Sequence, residues 1–288
     1  RAQAQLARGK VKVALSGDGG DENFIGYRRY RWHAYEERIR RLLPQAIRGP
    51  IFGTAGRIYP KLDRAPKFLR AKSTLQALGR SSMAGYLHSV SIYPDAPRQQ
   101  LYSAALKREL AGYRSIDTFQ RLVADKPELK GLPLVQYLDF KTYLPGDILT
   151  KVDRVSMANS LEVRVPILDH EFVTWVARIR PEDKLVGREG KVCFKKSLEN
   201  LLPRDVLYRE KMGFGVPVAK WFRNELREPV RERILRGALV DSRLFDNVKL
   251  TALVDDHQAG RRDHSAILWA MLMFEGSLRN LRASAPVS

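Results

Sequence analysis

A chain of 288 residues, 44% of them hydrophobic, is long enough for one large domain or two small ones and too apolar for a disordered segment. Its 51 basic residues against 32 acidic ones give a formal charge of +19. They lie scattered among acids along helical stretches, without zinc-finger spacing or an RNP-like segment, so basic patches around anionic substrates are expected rather than a nucleic-acid partner. One cysteine, Cys193, excludes an intrachain disulfide and a Cys-rich zinc site and suits a reducing, cytoplasmic setting. No leading segment is apolar enough for a signal peptide or membrane insertion, and Arg1 in place of Met leads to the expectation of a piece of a longer chain.

In chain order, the run Val11, Lys12, Val13, Ala14, Leu15 reads as a strand that Lys12 interrupts. SGDGGDE at 16–22 follows, where Gly17, Gly19 and Gly20 make a tight turn, and a helical pattern begins after it. Such a turn presents polar groups outside the carboxyl end of a sheet, where α/β proteins bind ligands. It lacks the Lys-Ser/Thr ending of a Walker A loop and the glycine spacing of a dinucleotide fingerprint. Asp18, Asp21 and Glu22 would repel a bare phosphate, so a nucleotide here requires Mg²⁺ on one carboxylate or a cationic substrate group on another. The plainer alternative is a glycine turn with Asp21 as an N-cap.

Trp32, Tyr35, Ile39 and Leu42 recur at helical spacing up to Pro44, which predicts a scaffold helix burying that stripe as core, with His33 structural or exposed. Residues 45–97 read as an irregular connection of short helices, punctuated by Gly49, Pro50, Gly53, Gly56, Pro60 and Pro66. Arg57, Lys61, Arg64, Lys67, Arg70 and Lys72 form its basic surface. Pro97 opens a helix through Leu101, Ala105 and Leu110, and another short helix covers 119–124.

Beyond Leu144, Pro145, Gly146 and Asp147, a helical face carries Ile148, Val152 and Val155, away from Asp153 and Arg154. Residues 161–165 then alternate with period two, placing Glu162 and Arg164 on one face, as a cleft pair or as a structural ion pair. Asp169 caps a helix with Phe172, Val176 and Ile179 on its apolar side. Gly187 and Gly190 bracket a turn, and Lys191 starts a helix through Phe194, Leu198 and Leu201, a place suited to pyrophosphate or to solvent. Cys193 reads as core. Arg209, Lys211, Gly213, Phe214, Gly215 and Pro217 form a basic glycine turn before Trp221 and Phe222. Residues 264–275 read as a packing helix, apolar almost all round.

SGDGGDE, LPGDILTKVDRVSMANSLEVRVPILD at 144–169, the pair Gly190 and Lys191, and REKMGFGVPVAKW at 209–221 together resemble the C-terminal synthetase domain of glutamine-hydrolysing asparagine synthetases, over nearly the whole chain. GYRRY at 26–30 is most similar to the asparagine-synthetase-like amidotransferases of exopolysaccharide and exosortase systems. The resemblance implies an α/β fold: the predominantly helical later part of a pyrophosphatase-loop ATPase domain (adenine nucleotide alpha hydrolase-like) over 1–288, with a remnant parallel sheet. The SGG-x-DS loop that grips ATP and an N-terminal glutaminase would lie upstream. The implied activity is ATP- and Mg²⁺-dependent conversion of aspartate to asparagine through β-aspartyl-AMP, with ammonia from the glutaminase, and a homodimer as the assembly. The chain alone is expected to be inactive. Alternatives are another carboxylate acceptor in exopolysaccharide metabolism, or a non-catalytic basic binding module.

By the same resemblance, Asp21 holds Mg²⁺ beside pyrophosphate, while Ser16, Gly17 and Lys191 bind the nucleotide. Asp18, with Gly17, Gly19 and Arg164, faces the substrate. Glu162 is a buried glutamate between substrate and lysine, and Lys191 steadies charge on the α-phosphate and leaving pyrophosphate. Arg164, Asp153 and Arg154 set the geometry of the cleft. Asp18 departs from the Glu of asparagine synthetases. Where the family reads DELFGGY or DELFAGY, this chain reads DENFIGY, so Asn23 replaces an apolar residue and Ile25 a small one. If the fit is tight, a branched side chain at 25 would shift Asp21 or crowd the cleft, at a cost of about 1–3 kcal/mol; the alternatives are reduced activity and local compensation.

Overall fold

The computed structural model describes residues 2–59, 71–209 and 215–284. The expected first strand forms over Val13–Leu15 (β1) and pairs in parallel with Glu162–Arg164 (β2). Val13 stands opposite Glu162, Ala14 opposite Val163 and Leu15 opposite Arg164. The Glu162 N–H donates to Lys12 O at 3.0 Å and the Ser16 N–H to Arg164 O at 2.8 Å, extending the ladder by one residue at each end. Parallel strands cannot be joined by a hairpin, and the long helical stretch between them supplies the crossover. Among the described residues these two strands are the whole sheet and the rest is mainly helical.

The chain divides into two compact units. The first comprises Arg1–Ile58, Ser73–Ser89 and Thr118–Lys211. It holds both strands and the helices Gly20–Asn23 (α1), Arg28–Leu42 (α2), Gln45–Ile58 (α3), Gly131–Lys141 (α4), Thr150–Met157 (α5), His170–Ala177 (α6) and Val192–Ser197 (α7).

Helix α2 forms where expected but buries the opposite face. Tyr30, His33 and Glu36 are inside, whereas Trp32, Tyr35 and Leu42 are outside. The reason is partnering. Helix α4 brings Asp139 to α2, where it accepts from Tyr30 Oη at 2.6 Å and from Arg29 Nη2 at 2.8 Å. Arg40 bonds Glu36 and the carbonyl of Ala77. Buried polar groups that find partners can outcompete an unpartnered apolar stripe for the inner face.

Helix α3 replaces part of the irregular connection expected from its glycines and Pro50. Its glycines serve close packing instead: a Cβ on Gly56 would lie 2.8 Å from Gln76 Cγ, and one on Gly79 would lie 3.0 Å from Gly53 N. Of the expected basic surface, Arg57 and Lys72 are described, while Lys61, Arg64, Lys67 and Arg70, with Pro60 and Pro66, lie outside the described residues.

The second unit comprises Tyr59–Lys72, Val90–Asp117 and Met212–Ser288. Its helices Val218–Arg223 (α8), Arg227–Arg236 (α9), Asn247–Gln258 (α10) and Ser265–Ser284 (α11) bury an apolar cluster that includes Phe222, Val230, Ile234, Leu250, Val254 and Leu268. Helix α11 is one-sided rather than apolar all round: Ile267, Leu268 and Met271 face inward, and Trp269, Met273 and Phe274 are exposed. The helix expected from Pro97 through Leu110 splits into Asp95–Leu101 and Ala104–Glu109, because Ser103 Oγ caps the second piece by accepting from the Leu106 N–H. Lys211, Gly213 and Phe214 of the basic glycine turn lie outside the described residues. Among those described, no helix is long and apolar enough to cross a membrane.

Candidate active site

The turn after β1 is built by its glycines. Gly19 has φ +85°, the left-handed region that favours glycine, and a Cβ there would collide with the Leu168 side chain. This bend starts α1 and puts Asp21 in its first turn. Ser16 Oγ donates to Asp18 Oδ2 at 2.6 Å, so Asp18 is tied to its own loop.

Behind the turn, Gln136 Nε2 on α4 donates to the carbonyls of Glu22 at 2.7 Å and Asn23 at 3.1 Å. Glu22 is buried and accepts from Tyr27 Oη at 2.8 Å. Burial pushes the Glu22 carboxyl pKa up, and the Tyr27 hydroxyl partly offsets this. The Arg29 guanidinium lies over the Tyr27 ring at 3.8 Å and the Tyr143 ring at 4.4 Å while bonded to Asp139. Burial opposes that charge, but Tyr86 and Asp139 outweigh it and raise the Arg29 pKa.

Lys191 reaches the turn from the N-terminal end of α7. Gly187, at φ +58°, lies in the loop closed by the Val186–Glu189 bridge. Gly190 then abuts the Ile25 carbonyl so closely that no Cβ would fit. The Lys191 N–H donates to Phe24 O at 2.8 Å, and Lys191 Nζ stands 3.0 Å from Asp21 Oδ1. A Cβ on Gly26 would overlap both Asp21 Oδ1 and Lys191 Cε. Two glycines therefore make the room in which the carboxylate and the ammonium meet.

The two departures at 23 and 25 are accommodated. Asn23 is buried, and its Nδ2 donates to Ile167 O at 2.7 Å, so the polar group is satisfied. Ile25 is buried at φ +57°, a strained conformation for a β-branched residue. Its crowding still leaves Asp21 within ion-pair distance of Lys191.

Glu162 corrects an expectation. It shares one face of β2 with Arg164, as the alternation required, and the two are paired at 2.7 Å. However, its side chain is 54% exposed rather than buried, because this face of β2 carries no cover among the described residues. Arg164 meets Glu162 and not the Asp21–Lys191 pair. Asp153 and Arg154 are exposed on α5. Lys191 stands at the start of α7 as its N-cap residue, and the helix runs only from Val192 to Ser197, leaving Leu201 exposed. Asp169 caps α6, accepting from Glu171 N–H at 3.0 Å and Phe172 N–H at 3.1 Å. Cys193 is a partly exposed free thiol.

Gln136 and Asp139 were missed from the sequence. Their signal was present: two polar residues three apart in LPLVQYLDF at 132–140, which is otherwise apolar or aromatic, both buried. Asp21 offers one hard oxygen donor, and no group of three His, Cys, Asp or Glu with metal-holding geometry occurs among the described residues. Magnesium bound by one or two carboxylates, with phosphate oxygens and water completing its shell, fits that donor set; an all-protein cage does not.

A carboxylate and a lysine brought together on a glycine turn at the carboxyl end of a parallel strand form a site of the class suited to a divalent cation and phosphate oxygens. The family described as asparagine synthase matches residues 2–279, and the chain belongs to that family. Among relatives, an asparagine synthetase (glutamine-hydrolysing) 1 of Bacillus subtilis (strain 168) is 31% identical over 94% of this chain and 41% of its own length. An amidase of Penicillium rubens is 25% identical over 78% of this chain and 32% of its own. The asparagine synthetase (glutamine-hydrolysing) of Gallus gallus is 36% identical over 26% of this chain and 15% of its own. The chain thus spans less than half the length of these relatives. No solved structure matches.

Proposed function

We propose that this chain is the later part of a pyrophosphatase-loop-type synthetase domain in an ATP-dependent amide-forming ligase, with aspartate as the acceptor and glutamine-derived ammonia as the nitrogen source. The observation that carries the reading is the Asp21–Lys191 pair, 3.0 Å apart on the glycine turn at the end of β1. The family match supports it.

In this reaction the substrate carboxylate attacks the α-phosphorus of ATP and the bond to pyrophosphate breaks. Ammonia then attacks the acyl carbon of the β-aspartyl-AMP, and AMP leaves. Lys191 supplies a positive charge where the leaving pyrophosphate gathers negative charge. Asp21 would hold Mg²⁺, which neutralises phosphate oxygens when bound. Ser16 and Gly17 line the approach to the nucleotide, and a Cβ on Gly17 would meet nothing within 4 Å, which leaves room for a ligand there. Asp18, Gly19, Arg164 and Glu162 belong to the acceptor side in this proposal. Glu162 is open to an incoming acceptor.

The test supplies the natural polypeptide with Mg-ATP, aspartate and ammonium, and follows AMP and asparagine. Lys191→Met should lower AMP formation by about 10²–10³-fold, and Asp21→Asn should weaken magnesium-pyrophosphate binding in calorimetry. AMP release at an unchanged rate in Lys191→Met would sink the assignment. AMP formation that requires a carboxylate other than aspartate would replace the acceptor and keep the site.

A further inference from the structure

Helix α2 carries its aromatic side chains on the outside. Trp32 is 46% exposed, Tyr35 36% and Leu42 80%, while the inner face holds His33 and Glu36. At helical spacing, Arg28, Arg31 and Arg38 share the outer face with Trp32, Tyr35 and Leu42. Glu36 and Glu37, the two carboxylates of α2, point away from it, each bonded to Arg40. The two rings meet edge-on at 6.1 Å. The Arg28 guanidinium sits 5.7 Å from the Trp32 ring centre, and that of Arg38 sits 5.6 Å from the Tyr35 ring centre. Neither arginine pairs with a carboxylate among the described residues.

The face is therefore a row of donors on an apolar base: the guanidinium groups of Arg28 and Arg38, an indole N–H and a phenol, while the Arg31 guanidinium donates to the Arg188 carbonyl at 2.6 Å. Tryptophan, tyrosine and arginine are the side chains that dominate protein interfaces, and here they sit together over about 15 Å of helix, from Arg28 to Arg38. We propose that the outer face of α2 docks an acidic protein segment, whose carboxylates meet Arg28 and Arg38 and whose apolar side chains cover Trp32 and Leu42. Charge selects this occupant. A second copy of a chain with a net charge of +19 would bring more cations to a face that already holds three. A nucleic acid would match the arginines but leave Leu42 without an apolar partner, as it would Ile47 and Ile51, which are exposed on the following helix α3.

The experiment uses the natural polypeptide and three fluorescent probes: a short amphipathic peptide of glutamate and leucine, its lysine counterpart, and an oligo-deoxythymidine of similar length. The glutamate peptide should bind saturably at low salt, the lysine peptide not at all, and the oligonucleotide more weakly. Arg28→Glu with Arg38→Glu should weaken the glutamate peptide about tenfold or more, as should Trp32→Ala. The matched pair Arg178→Glu with Lys151→Glu, on other exposed positions, should leave its affinity within about twofold. These exposed substitutions spare the buried face of α2, and unchanged melting curves would show that the fold is kept. The proposal is overturned by the absence of saturable glutamate-peptide binding, or by equal affinity in the Arg28/Arg38 and Arg178/Lys151 variants. Tighter binding of the oligonucleotide that the same variants abolish would also overturn it, in favour of nucleic acid. So would self-association lost in Trp32→Ala, in favour of a second copy.

Discussion

The two units hold themselves together by different means. The second packs leucine, isoleucine, valine, phenylalanine and methionine into one cluster in which side-chain shape is the main requirement, and buries His257, Gln258 and Glu275 as its polar members. The first, which carries the candidate site, buries Glu22, Glu36, Gln136 and Asp139 with hydrogen-bond partners, and His33 with its Nδ1 lacking a hydrogen-bond partner among the described residues. Apolar packing tolerates exchange of like for like, whereas a polar network fails when one member is removed. The lesson is that the glycine turn rests on hydrogen bonds of fixed direction, which hold atoms in place more exactingly than non-directional apolar contact.

The largest effect should come from breaking that network. Asp139→Ala removes the acceptor of Tyr30 and Arg29 and should cost about 3–5 kcal/mol in urea unfolding. Because Gln136 on the same helix holds the turn, this variant should also weaken magnesium-pyrophosphate binding. Leu250→Ala, in the fully buried apolar cluster, should cost about 2–5 kcal/mol and leave that binding unchanged. If both variants lower stability and both spoil binding equally, the distinction between the units is lost.

Acid should act on both units, because burial lowers the His257 pKa in the second as it lowers that of His33 in the first. Burial depresses the His33 pKa to about 4, with Glu37 opposing the shift and Arg40 adding to it. The unfolded chain takes up a proton there near its ordinary value of 6.5, while the folded chain refuses it until about pH 4. The unfolded state thus binds more protons across that window, and stability falls as the pH falls. His33→Gln should flatten the pH dependence of unfolding between 6.5 and 4 by up to about 3 kcal/mol relative to the parent. An unaltered slope would remove His33 as the cause. The smallest effect should be Glu162→Gln, which breaks an exposed pair with Arg164 and should change stability by about 0–1 kcal/mol. Its influence on acceptor turnover, measured in the same preparation, would separate a chemical role from a structural one.

The difference between the units also explains what could be read from the sequence. Local rules succeeded: the Asp169 cap, the alternation of residues 161–165, and the glycine turn after β1 all rest on residues close in sequence. The inner face of α2 was misassigned because hydrophobic periodicity counts apolar side chains and is blind to partners. The acceptor that draws Tyr30 inward lies 109 positions away, on α4. The exposure of Glu162 was equally out of reach, since it depends on what covers a strand rather than on the strand. The meeting of Asp21 and Lys191 was inferred through family motifs, and the glycines that permit it are legible only in three dimensions.

The parallel pairing of β1 with β2 has a consequence for the order in which the molecule comes into being. Helices such as α2 and α10 close contacts over a few residues, but Val13 must wait for Glu162, on the far side of most of the first unit's sequence. Loop-closure entropy makes such a contact late. During synthesis the glycine turn leaves the ribosome before its second strand and before Lys191, and stays without them until those distant residues emerge. Hydrogen-exchange pulse labelling should therefore find the Ser16 and Glu162 amides, which bond across this pair, among the last to be protected. The centre proposed to do the chemistry is then completed only once the scaffold around it has been made.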